Sequence, residues 1–143
     1  MSTMTRRQIE DAIKVGLKIS LNGQHLQGLD LSRLNLSGFD FSYANLDEAN
    51  LSGTNLSKAI LWSVQARKIN LRQANLSGTN LGTANLSESN LQDAILRKAS
   101  LLGTSLNKAN LSGADLREAD LQNVILEGAI YNSETLWPNG FTP

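Results

Sequence analysis

The chain carries one histidine, His25, and no cysteine among its 143 residues. A zinc or thiolate centre needs a cluster of His, Cys or carboxylate ligands, and no such spacing exists here. His25 has no serine or aspartate at a spacing that suggests nucleophilic catalysis. The Asp and Glu residues are dispersed, and no pair is placed for general acid–base work. Gly38, Gly53, Gly78, Gly103 and Gly113 occur singly rather than in a phosphate-cradling loop, and read as corner residues. What recurs instead is Asn and Ser, at one fixed spacing. Short polar side chains in such a pattern serve to hydrogen-bond nearby backbone. The expectation is a protein that is not an enzyme, with no cofactor, no metal and no small-molecule substrate.

Charge narrows the partners. Lys plus Arg number 13 and Asp plus Glu number 13, so the formal net charge is zero. A phosphate-backbone binder wants a clustered basic face, so nucleic acid is not an expected partner. The opening residues Met1 to Arg7 contain no apolar stretch of a signal peptide, and no apolar run is long enough for a membrane span. The expected setting is cytoplasmic, away from membranes, and the length suits one domain.

The elements that would position any site are two. Residues 5 to about 22 read as a helix: Thr5 and Gln8 fit a capping box, and Ile9, Ala12, Ile13, Gly16, Leu17 and Leu21 share a face. Gly16 weakens that helix, and Asn22-Gly23 is its expected stop. From Leu26 a large apolar residue then returns at every fifth position through Leu126, Tyr131 and Leu136, with Ala66 as the sole small one. A five-residue period spirals around a helix and alternates faces along a strand. A short turn within each unit resolves this, giving two inward residues and then a corner. Units this short bury nothing alone and must stack.

Ala49-Asn50-Leu51-Ser52-Gly53, Ala84-Asn85-Leu86-Ser87, Ala109-Asn110-Leu111-Ser112-Gly113 and Ala114-Asp115-Leu116-Arg117 carry a resemblance. They match an A(D/N)LxG consensus, and about four-fifths of the chain resembles the pentapeptide-repeat family. A leucine-rich repeat is the runner-up, but its longer period is absent. The resemblance implies an all-β solenoid, a right-handed quadrilateral parallel β-helix, with the leucine and the residue two before it pointing inward. The expected organisation is a capping helix and turn over 1–23, a β-helix of about five to six coils over 24–133, and a C-terminal cap over 134–143. The family is abundant in cyanobacteria, which points to a cyanobacterial source. Some members mimic duplex DNA and bind DNA gyrase, protecting it from quinolones. Those are long, strongly acidic dimeric rods, sometimes with projecting loops, so zero net charge and the unbroken register disfavour that alternative.

With twenty residues to a coil, residues twenty apart stack. Val64 and Ile69 would fill part of the space around Ala66, and Ala66→Leu is expected to be tolerated or stabilising. One wall carries Glu48, Lys68, Glu88 and Lys108, with Asp47 beside Arg67, as alternating cross-strand pairs. The most basic side carries Lys58, Arg97, Lys98 and Arg117, relieved by Asp115 and Glu118. The wall of Phe41, Leu61, Leu81, Leu101 and Leu121 has no outward Lys or Arg. Its outward Tyr43, Ile60, Trp62 and Leu102 are apolar where the repeat does not require it, and form the candidate interaction surface. The expected function is a scaffold that binds an unidentified protein partner, as a monomer or weak homodimer. An ice-binding array is disfavoured, because most threonines fall at inward positions.

Overall fold

The computed structural model describes residues 3–143. Helix α1 spans Arg6–Lys14. Thr5 is its N-cap: the Thr5 side chain accepts from the Gln8 N–H, and the Thr5 N–H donates to Gln8 Oε1 at 2.8 Å. The helix ends well before the predicted stop. Gly16 takes φ +71°, its N–H donates to Ile13 O at 3.0 Å, and the Leu17 N–H donates to Ala12 O at 2.9 Å. This is a Schellman motif, so Gly16 terminates the helix rather than weakening its middle. Leu17 is consequently exposed, while Leu21 is buried as the first inward residue of the coil. Ile9 and Ala12 form the buried face of α1.

The rest of the chain winds in a four-sided coil. Parallel bridges join residues twenty apart, from His25 with Asn45 to Asn110 with Ile130. Each unit gives three bonds between coils, as in Leu26 N–H to Asn45 O (2.8 Å), Gly28 N–H to Asp47 O (2.9 Å) and Asn45 N–H to Gln24 O (2.9 Å). Within the unit, the Leu29 N–H returns to Leu26 O at 3.2 Å and closes the corner as a β-turn. Four such corners make one coil. The first ladder bond, Leu21 N–H to Asp40 O, places the start of the coil at Leu21 rather than at residue 24.

The corner explains the outward residues. The residue two after each leucine has positive φ at every unit from Gly23 to Gly128, the third position of a type II-like turn. Glycine takes it without penalty, whereas an L-residue there costs roughly 1–2 kcal/mol. Thr83, with φ 54°, is the β-branched exception. The Asn or Asp before each leucine turns its Oδ1 to accept the N–H two residues on, as in Ser52 to Asn50 (3.1 Å) and Ser77 to Asn75 (3.0 Å). All the Asn and Asp residues at that position from Asp30 to Asp120 make this bond. Where Gln65 breaks the rule, Asp47 Oδ1 from the preceding coil accepts the Arg67 N–H at 2.8 Å instead.

The core is a stack of leucine layers, most of them fully buried. Ala66, Val64 and Ile69 are all at 0% exposure. Together these three hold more side-chain carbon than a leucine with two alanines, enough to take the place of the missing leucine. At the C-terminus the register slips by one: Asp115 bridges Leu136, twenty-one residues on. Leu136 is therefore not the inward residue that the period predicts; it is 42% exposed, and Thr135 beside it is buried. Thr135 Oγ1 donates to Leu111 O at 2.9 Å, and Asn132 Oδ1 accepts the Gly113 N–H at 3.1 Å in place of the ladder carbonyl. Trp137 follows, edge-on to Tyr131 at 5.4 Å and stacked on Phe141 at 5.3 Å. Trp137 and Phe141 pack against the core.

Candidate binding wall

The coil sets the candidate wall in three outward rows. Before the leucines run Asp40, Ile60, Asn80, Ser100 and Asp120, bridged in sequence. One after them run Ser42, Trp62, Gly82, Leu102 and Gln122, and two after run Tyr43, Ser63, Thr83, Gly103 and Asn123. Tyr43 is 62% exposed and Ile60 41%, while Trp62 and Leu102 are half-buried. Ile60 and Trp62 thus share one unit. Tyr43 lies one coil before Trp62 and Leu102 two coils after, and the four residues form no single ring cluster.

Gly82 explains why Trp62 is half-buried. The Trp62 ring lies where a side chain at residue 82 would begin: a Cβ there would collide with Cζ3 and Cε3. Gly82 differs from the corner glycines, because its φ is not in the left-handed region. It is there for space. It separates Trp62 from Leu102 in the same row and lets the indole lie against the wall. Sequence reasoning named Trp62 but not its seat; the readable signal was a glycine one place after a leucine, twenty residues beyond a tryptophan.

The wall is polar but uncharged around this ring. Ser63 Oγ and Thr83 Oγ1 share a hydrogen bond of 2.6 Å. Its acidic group near Tyr43 is Asp40, held below the usual carboxylate range by the Ser42 hydroxyl (2.6 Å), then by the Ser42 N–H (2.9 Å).

The charged walls differ from the sequence expectation in detail. Glu48 and Lys68 make no ion pair among the described residues; the pair that forms is diagonal, Arg67 to Glu88 at 3.7 Å. Asp47 meets the Arg67 backbone, not its guanidinium. On the basic side, Arg97 meets Glu118 at 2.8 Å, Lys98 meets it at 3.9 Å, and Arg117 meets Asp115 at 2.7 Å. Neither wall offers the continuous acidic face of a duplex-DNA mimic. Among the described residues no group of His, Cys, Asp and Glu could hold a metal ion, and no helix is long and apolar enough to cross a membrane.

Comparison with known proteins gives the same repeat. The chain is 33% identical to a pentapeptide repeat protein of the Arabidopsis thaliana thylakoid lumen, over 72% of each chain, with a TM-score of 0.70. It is 30% identical to a pentapeptide repeat protein from the cyanobacterium Cyanothece 51142, over 90% of this chain and 98% of that one, with a TM-score of 0.48. A third, from Nostoc Pcc 7120, is 31% identical over 99% and 92%, with a TM-score of 0.44. No curated protein sequence matches the chain. The family model for pentapeptide repeats matches in 8 copies over residues 25–62, 67–101 and 94–130, most of the coil, and the chain belongs to the pentapeptide-repeat family.

Proposed function

We propose that this chain is a non-catalytic scaffold that binds another protein through the wall of Tyr43, Ile60, Trp62 and Leu102. The reading includes a right-handed coil of about five to six turns, as the family likeness implies. It also places the protein in the cytoplasm.

One observation carries it: Trp62 rests in a seat made by Gly82, on a wall without Lys or Arg. Tryptophan is a common anchor of protein interfaces, and lysine is depleted from their centres. An indole already laid against a rigid wall loses little freedom when covered, which lowers the cost of association. Exposed Ile60 and Tyr43 extend the apolar area on either side of it.

The test is capture from a lysate of the source organism with wild type beside a Trp62→Asp, Leu102→Asp double variant. Both positions point outward, so the variant is expected to melt cooperatively, as wild type does. A protein held by wild type and lost by the variant is the expected result. Identical captures, or none, would overturn this reading.

A further inference from the structure

Every coil in the stack has two edges. On the edge toward the N-terminus, the carbonyls just before and just after each leucine await N–H donors from the residues 19 before them. For Asp30 O and Ser32 O those donors would be residues 11 and 13, which instead belong to α1. Arg6 takes their place. Its Nη1 donates to Asp30 O at 2.9 Å and its Nη2 to Ser32 O at 3.2 Å. One planar guanidinium thus reproduces the two N–H groups of a missing coil. Glu10 holds the other side of Arg6, with Nε to Oε1 at 2.7 Å, and Asp30 Oδ1 lies 3.5 Å from Nη1.

The opposite edge is open. The N–H groups of Leu126, Gly128 and Tyr131 donate to no acceptor among the described residues. The C-terminal segment from Pro138 to Phe141 lies beside Ala119 to Gln122, and Trp137 meets the Tyr131 ring edge-on at 5.4 Å, yet none of these residues accepts from the three N–H groups. Ile125 and Ile130, 48% and 58% exposed, flank them. The two edges complement each other in the ladder's own register. Continued by one coil, the Tyr131 N–H would meet Asp30 O, and the Gly128 N–H would meet Gln27 O. Unpaired parallel edges recruit other chains, and a head-to-tail contact that does not close grows into a chain of copies.

We propose that Arg6 and α1 are a lock over an assembly surface. The first coil's edge accepts the C-terminal edge of a second copy of this chain once Arg6 releases Asp30 and Ser32.

The test is sedimentation velocity of the full chain over a wide range of concentration. Arg6→Met keeps the apolar stem and removes all the donors; adding Ile9→Asp also lifts the buried face of α1 off the coil. Wild type is expected to keep one mass. Arg6→Met should tighten self-association by about tenfold or more, and the double variant should associate at lower concentration still. Excess wild type should shorten the assemblies, because it brings an open C-terminal edge and a locked N-terminal one. The proposal is overturned if the variants melt cooperatively yet stay monomeric, if wild type associates as strongly as they do, or if wild type fails to shorten the assemblies. Should the double variant not fold, Arg6→Met alone decides.

Discussion

The wall of Leu61 and the wall of Leu86 are built alike inside, apart from Phe41 in one ladder and Ala66 in the other, and are different structures outside. Inward, Leu61, Leu81 and Leu101 on the first and Leu46, Leu86 and Leu106 on the second are each exposed by at most 1%. Outward, the first carries Ile60, Trp62 and Leu102 around Gly82, and the second carries Glu48, Arg67, Lys68 and Glu88. The corner demands only that the residue two after the leucine tolerate positive φ. Glu48, Lys68, Ser63 and Thr83 all do so. The inside is dictated by stacking, and the outside is free to diverge. A difference between two walls of one coil is therefore the place to look for function.

The largest effects should ignore the comparison. Leu61→Ala and Leu86→Ala each remove a fully buried side chain from a layer that cannot collapse between its neighbours. Each is expected to cost about 2–5 kcal/mol, equally on either wall. Thermal melts of the two variants check this, and a large inequality would break the premise that the interiors are equivalent. Ala66→Leu is the counterpart. Since Val64 and Ile69 already fill that layer, the added carbons should strain it by about 1–3 kcal/mol. A melting temperature unchanged or raised would bear out the sequence expectation of tolerance and show unfilled space beside Ala66.

The next effect belongs to one wall. Gly82→Ala places a Cβ inside the Trp62 ring, so the indole must swing outward. A destabilisation of about 1–3 kcal/mol is expected, with Trp62 fluorescence shifted to the red as the ring meets water. Trp137 supplies an internal reference, since it lies at the far end against Tyr131 and Phe141. An unshifted spectrum would mean that Gly82 is not the seat of the ring.

The repeat made most of the fold legible: the five-residue period demands a turn in every unit and stacking between units, and the resemblance to pentapeptide-repeat proteins implied the four-sided coil. The places where legibility failed have local causes. Gly16 looked like an interior helix residue, but the Schellman bonds of Gly16 and Leu17 close the helix there. Leu136 kept the period, yet Asn132 and Thr135 substitute side-chain bonds for ladder bonds and shift the register. Trp62 was visible as an anomaly, whereas Gly82 read only as one more small outward residue of that wall, because its role lies in a ring from another coil. Arg6 was a helical charge in sequence, and only the open carbonyls of Asp30 and Ser32 give it a purpose.

The smallest effects separate the two walls by their solvent. Arg67 and Glu88 are both about half exposed at 3.7 Å, so Glu88→Gln should cost less than about 1 kcal/mol, and high salt should erase the difference. Asp40, on the uncharged wall, responds to acid instead. The Ser42 hydroxyl and N–H hold its folded pKa below the ordinary aspartate value. A depressed acid binds fewer protons folded than unfolded, so its stabilisation is present above about pH 4 and fades as pH falls through the folded value. Ser42→Ala removes the largest of those interactions. The variant should lose less stability than wild type between pH 4 and more acidic solution, and added salt should change that difference little, since a hydrogen bond inside one turn is not a screened ion pair. Parallel acid titrations of the melting temperature measure it. Coincident slopes would mean that the Ser42 hydroxyl does not hold the Asp40 carboxylate.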